Sequence, residues 1–177
     1  ANKWVPTTRI LKNGHAAGAK GCEFFTVGGR AKGQEGLQPG EKVLSCSDIS
    51  SRSDASDRSL LVWDLDGEKA GTFRSLPRDH AHTNHVRSCS VYDDHEDRSG
   101  LHWKAVTCGA DFAIKIWDLM KLRHLCTIPN SHSDWIMTCD VFCRDREGNH
   151  WEAVTCSSDK SVKLWDLSLV NTAADNE

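Results

Sequence analysis

A histidine, a hydroxyl residue and an aspartate recur together three times along the chain, and that trio is the one used in nucleophilic hydrolysis. His132, Thr155 and Asp159 form the last set, and His82, Thr107 and Asp111 the middle one. The first is His15, Ser45 and Asp57; Asp57-Arg58-Ser59-Leu60 copies Asp159-Lys160-Ser161-Val162 and so fixes the aspartate. A tryptophan follows each set: Trp63, Trp117 and Trp165. A catalytic nucleophile needs one open site with an oxyanion hole. Three copies at matching positions read instead as a repeated structural part. No catalytic residue is assigned, and the chain is expected not to be an enzyme.

Metal chemistry is the second possibility. Asp79-His80-Ala81-His82-Thr83-Asn84-His85 is rich in imidazoles. His82 belongs to the repeated set, and His85 stands where the next copy has Trp135. Only His80 is left over, which is too few for a metal site. The eight cysteines include no C-x-x-C pair. Six of them (Cys22, Cys46, Cys89, Cys108, Cys139 and Cys156) occupy equivalent places in the repeat. They are expected to be reduced thiols in the core rather than ligands or redox centres. No metal and no cofactor is expected.

The elements that position these residues show the same repetition. Leu61-Val62-Trp63-Asp64-Leu65, Ile114-Lys115-Ile116-Trp117-Asp118-Leu119 and Val162-Lys163-Leu164-Trp165-Asp166-Leu167 are near copies, their tryptophans spaced by 54 and 48 residues. His15, His82 and His132 each stand seven residues before a cysteine. Trp103-Lys104-Ala105-Val106-Thr107-Cys108 matches Trp151-Glu152-Ala153-Val154-Thr155-Cys156, with a looser Lys42-Val43-Leu44-Ser45-Cys46 in the first copy. Alternation in Ile136–Val141 and Val162–Trp165 has the two-residue period of a strand.

These anchors, recurring in one order from Trp4 to Leu167, resemble the WD40-repeat family. The resemblance implies an all-β fold of WD40 β-propeller blades, three four-stranded antiparallel sheets in an incomplete ring. It also implies that His, Ser or Thr, Asp and Trp of each set bond to one another, tying the loop before the inner strand to a turn in the same blade. The expected organisation is 1–13 as the end of a preceding blade, 14–78, 79–130 and 131–170 as three repeats, and 171–177 as a polar tail. Inner strands are expected around Val86–Val91 and Ile136–Val141, an outer strand at Leu122–Ile128, and an N-terminal outer strand at Thr8–Leu11. A last outer strand at Leu169-Val170 is weakly marked. Propellers close with four to eight blades, so three leave open edges. The rest of a longer protein, a partner's blades or a second copy could each complete the ring; the first is favoured.

Charge narrows the partners. With 22 Lys plus Arg against 25 Asp plus Glu, the formal charge is -3 and supplies no basic field for nucleic acid. No apolar run reaches membrane-spanning length and no secretory signal opens the chain. An intracellular protein, cytoplasmic or nuclear, is expected. Its partners are expected to be other proteins or peptides, with no membrane and no nucleic acid.

Long connections at Thr26–Glu41, Asp93–His102 and Arg144–His150 are candidate partner-binding loops. Their candidates are Arg30, Lys32, Glu35, Asp94, His95, Glu96, Arg98, Arg144 and Arg146, with Trp135 beside an inner strand. Ser47–Ser56 reads as a Ser- and Asp-rich insertion. The expected function is a protein–protein interaction scaffold within a larger assembly. The alternative is a regulatory or sensing segment of a longer multidomain signalling protein.

Overall fold

Short runs rich in β-branched and aromatic residues, bounded by Gly, Asp and Ser turns, form eleven strands among the described residues. The computed structural model describes residues 11, 14, 15, 17–29, 36–47, 60–66, 70–94, 102–145 and 150–168. Strands β1 (Ala19–Val27), β2 (Gly40–Ser47), β3 (Leu60–Asp64) and β4 (Phe73–Ser75) make the first sheet. The second contains β5 (Val86–Asp93), β6 (Trp103–Gly109), β7 (Ile114–Asp118) and β8 (Arg123–Ile128). The third contains β9 (Ile136–Cys143), β10 (Trp151–Ser157) and β11 (Val162–Asp166). All three are antiparallel meanders.

One register repeats in all of them. Cys22 lies opposite Ser45, Cys89 opposite Thr107 and Cys139 opposite Thr155. On the next ladder Val43 faces Trp63, Ala105 faces Trp117 and Ala153 faces Trp165. A β-bulge falls near the start of each inner strand, between Ala19 and Gly21, between Val86 and Ser88, and where Ile136 and Thr138 meet Ser157 and Cys156. Bulges increase local twist and re-aim the side chains beside them.

The core lies between sheets, because a lone sheet has no interior of its own. Leu44, Cys46, Leu60 and Val62 of the first sheet pack with Cys89 and Ala105 of the second. Val106, Cys108, Ile114 and Ile116 of the second pack with Ile136, Cys139 and Ala153 of the third. A thiol pair bridges each interface: Cys46 with Cys89, and Cys108 with Cys139. The neighbouring thiol, with burial, pushes the Cys89 and Cys108 thiols well up, so both stay protonated.

Several sequence expectations need correction. Thr26 and Val27 belong to β1, and Gly40 and Glu41 to β2, so the first connection is shorter than Thr26–Glu41. Ser47 ends β2 fully buried and so does not belong to the Ser- and Asp-rich insertion. β8 begins at Arg123 because Leu122 sits at a φ of 52°, outside the strand region. Cys22 is exposed and Cys156 half-buried, since no sheet among the described residues covers the outward faces of the first and third sheets. The third sheet has three described strands rather than four; Leu169-Val170 lies outside the described residues. So do Thr8, Arg9 and Ile10, while Leu11 is described and is not in a strand.

Candidate functional site

In the second sheet the repeated polar set closes around a buried hydroxyl. Trp117 Nε1–H donates to Thr107 Oγ1 at 2.8 Å, and His82 Nε2 lies 2.8 Å from the same oxygen. His82 Nδ1–H donates to the Asp111 carboxylate at 2.9 and 3.0 Å. In the neutral ring that leaves Nε2 to accept the Thr107 hydroxyl proton, so all four polar groups are satisfied. Asp111 also accepts the backbone N–H of Thr83 at 2.9 Å and of Ala113 at 3.3 Å. The loop before β5 is thereby tied to the turn between β6 and β7. Burial pushes the Asp111 carboxyl up, but the hydrogen bonds from His82 and from the Thr83 and Ala113 backbone N–H groups outweigh it and the net shift is downward.

The third sheet repeats the arrangement. Trp165 Nε1–H donates to Thr155 Oγ1 at 2.9 Å, His132 Nε2 lies 2.8 Å from that oxygen, and His132 Nδ1 lies 2.8 Å from Asp159. Ser161 adds an Oγ–H bond to Asp159 at 2.6 Å, the main cause holding that carboxyl below its usual range. In the first sheet His15 Nε2 and Trp63 Nε1 both lie 2.7 Å from Ser45 Oγ. Asp57 lies outside the described residues.

The loop candidates divide. Arg30, Lys32, Glu35, His95, Glu96, Arg98 and Arg146 lie outside the described residues. Asp94 pairs with Lys104, and Arg144 donates to Glu152 at 2.6 Å, so both are bonded within the chain. Trp135 is different: its ring is 44% exposed immediately before β9, and the Arg87 guanidinium sits 4.9 Å from its centroid. Arg87 Nε is buried without a hydrogen-bond partner.

Two contacts escaped the sequence reading. Leu37 is buried, and its N–H reaches Met120 O at 3.3 Å, so the first sheet's long connection grips the second sheet. A lone leucine in Gly36-Leu37-Gln38-Pro39 was the available signal. His80 stacks on His124 with ring centroids 4.6 Å apart and planes at 13°. Parallel rings present their lone pairs side by side rather than converging on one ion. Among the described residues no three His, Cys, Asp or Glu side chains group as metal ligands would.

Comparison with known proteins rests on shape. No family model matches the chain, and no curated protein matches it by sequence. A crystal structure of the RRP9 WD40 repeats superimposes with a TM-score of 0.60 at 20% identity, covering 91% of this chain and 38% of that one. A structure of U3-55K gives the same TM-score and identity, covering 91% of this chain and 39% of its own. The three sheets are WD40 propeller blades. The chain spans about two-fifths of the length of those two structures, and its blades do not close a ring. At this identity the likeness establishes the WD40 fold alone. Among the described residues no helix is long and apolar enough to cross a membrane.

Proposed function

We propose that this chain is a non-catalytic WD40 scaffold whose rim beside the third blade's inner strand holds a peptide segment of another protein. The Trp135–Arg87 pair carries the reading. An exposed indole ring with a guanidinium over it offers area and charge together, the composition typical of binding hot spots. The positive charge of the Arg87 guanidinium over the exposed ring makes an acidic side chain the matching chemistry. The repeated His, hydroxyl and Asp groups support a structural rather than a catalytic role. Thr107 and Thr155 are fully buried, and each hydroxyl is already engaged by an indole and an imidazole.

A display library of acidic and aromatic peptides, selected on the purified chain, tests this. Selected peptides should quench tryptophan fluorescence, and Trp135→Ala and Arg87→Gln should each weaken binding at least ~10-fold, the size of one lost hot-spot contact. Their thermal melting should match that of the parent. Binders indifferent to both substitutions, or no binders at all, would remove this rim as the contact site.

A further inference from the structure

We propose that Cys46 and Cys89 are a redox pair, which hydrogen peroxide converts to a disulfide that staples the first blade to the second. Cys46 lies in β2 of the first blade and Cys89 in β5 of the second, and their thiols meet across the blade interface. Both are buried. A disulfide needs two sulfurs that already face each other on closely packed backbones. Gly21 supplies that closeness. It is paired with Cys46 in the sheet, and a Cβ built on it would fall 3.1 Å from Cys46 Sγ, 3.4 Å from Ser88 Cα and 3.5 Å from Cys89 N. A side chain there would press on the sulfur and on the incoming strand together. With hydrogen alone at that site, the first blade's inner strand comes up against the backbone of β5, and the Cys46 sulfur has room to turn.

The second thiol pair is a comparison inside the same molecule. Cys108 and Cys139 also meet across an interface, but beside Cys108 the sheet places Ser88 rather than a glycine. The Ser88 hydroxyl bonds Cys139 O at 3.3 Å, and the Cys139 thiol is directed to Val106 O at 3.7 Å. The repeat gives both pairs the same place in the fold, and the glycine sets the first pair apart. Its chemistry differs as well. The Cys89 S–H donates to Cys46 and shifts that thiol downward, against the effect of burial. Cys46 is therefore the member that ionises, and ionised sulfur is what attacks peroxide.

The Cys46 thiolate attacks one peroxide oxygen, the O–O bond breaks, and Cys46 sulfenic acid and hydroxide result. The Cys89 sulfur then bonds to the Cys46 sulfur, the S–O bond breaks, and the hydroxyl leaves as water with the Cys89 proton. Two thiols lose two electrons and two protons, and one peroxide becomes two waters. Peroxide is small enough to reach a buried pair through local opening. The cross-link constrains the unfolded chain and so stabilises the folded one. This inference concerns the blade interface and stands apart from the Trp135 reading.

Stoichiometric hydrogen peroxide on the purified chain, followed by maleimide capping, digestion and mass spectrometry, tests the pair. A peptide pair joining Cys46 to Cys89, two hydrogens lighter than its parts, should appear before any Cys108–Cys139 link. The melting temperature should rise by several degrees and return with dithiothreitol. In Cys89→Ala no such link can form, and dimedone should trap the Cys46 sulfenic acid instead. Gly21→Ala, with its fold checked by circular dichroism, should slow the link. Cys46 and Cys89 that stay reduced in the folded chain, links at both pairs at equal rates, a link only between other cysteines, or oxidation that leaves melting unchanged would overturn the proposal.

Discussion

Trp117 Nε1 donates to Thr107 Oγ1 at 2.8 Å with its ring fully buried, whereas Trp165 makes the matching bond to Thr155 from a ring that is only partly covered. The chemistry is identical and the desolvation is not. Removing the hydroxyl leaves an indole N–H and an imidazole nitrogen without partners, which is costly in proportion to burial. Thr107→Val should therefore destabilise by about 2–3 kcal/mol, and Thr155→Val by less. Urea unfolding of both variants compares them directly; equal losses would mean that burial of the ring does not set the cost.

Leu37 fixes a connection that would otherwise be free. Leu37→Ala should lower stability by about 2–4 kcal/mol through the lost contacts and the cavity left behind. Proteolysis should also cut faster near residue 37, because the side chain anchors the segment against the second blade. Unchanged melting and unchanged cleavage would mean that the leucine is not an anchor.

Acid should weaken the fold in two stages. Burial, then the charges of Lys115 and His80, push the His124 imidazole down to about 4 from its ordinary 6.5. The unfolded chain therefore binds this proton more readily than the folded one. Stability from this group is whole above pH 6.5 and is lost as pH falls towards 4. Asp111, held below its ordinary 3.8, acts in the same direction but only at lower pH. His124→Gln should flatten the urea midpoint between pH 6.5 and 4 and leave the lower fall intact. A slope unchanged in that variant would assign the titration elsewhere.

Lys160 occupies a turn at a φ of 70°, where a side chain without local hydrogen bonding is strained. Asparagine tolerates that conformation better. Lys160→Asn should raise stability by about 0.5–1 kcal/mol, visible as a higher melting temperature. A lower one would show that the lysine side chain makes a compensating contact.

The fold was legible because it repeats. One strand with a WD pair is ambiguous, but three in the same order, each preceded by a His seven residues before a Cys and then by a Ser or Thr, fix register as well as strand identity. Where residues did not repeat, the sequence said less. Leu37 has no counterpart in the other connections, so no periodicity marked it as buried. His80 and His124 come from different elements and meet only when the outer strand folds back beside the loop. Leu122 looked like strand because its residue type suits one, but its positive φ places it in the turn. Among the described rim candidates, Asp94 and Arg144 find partners within the chain, and Trp135, with Arg87 over its ring, stays exposed.

The grip of Leu37 on Met120 also bears on how the molecule opens. The first two blades share a stacked face, that latch, and the Trp103 indole N–H donating to Thr26 O at 2.8 Å. The third blade joins the second through its face, the Ser90–Asp140 and Ser88–Cys139 hydrogen bonds, and the Arg87–Trp135 and Tyr92–Trp151 ring contacts, while its last strand is largely exposed. Local opening starts at the most exposed strand. Amide exchange should therefore pass through a state in which β11 and β10 have frayed while blades one and two still protect their protons as a single unit.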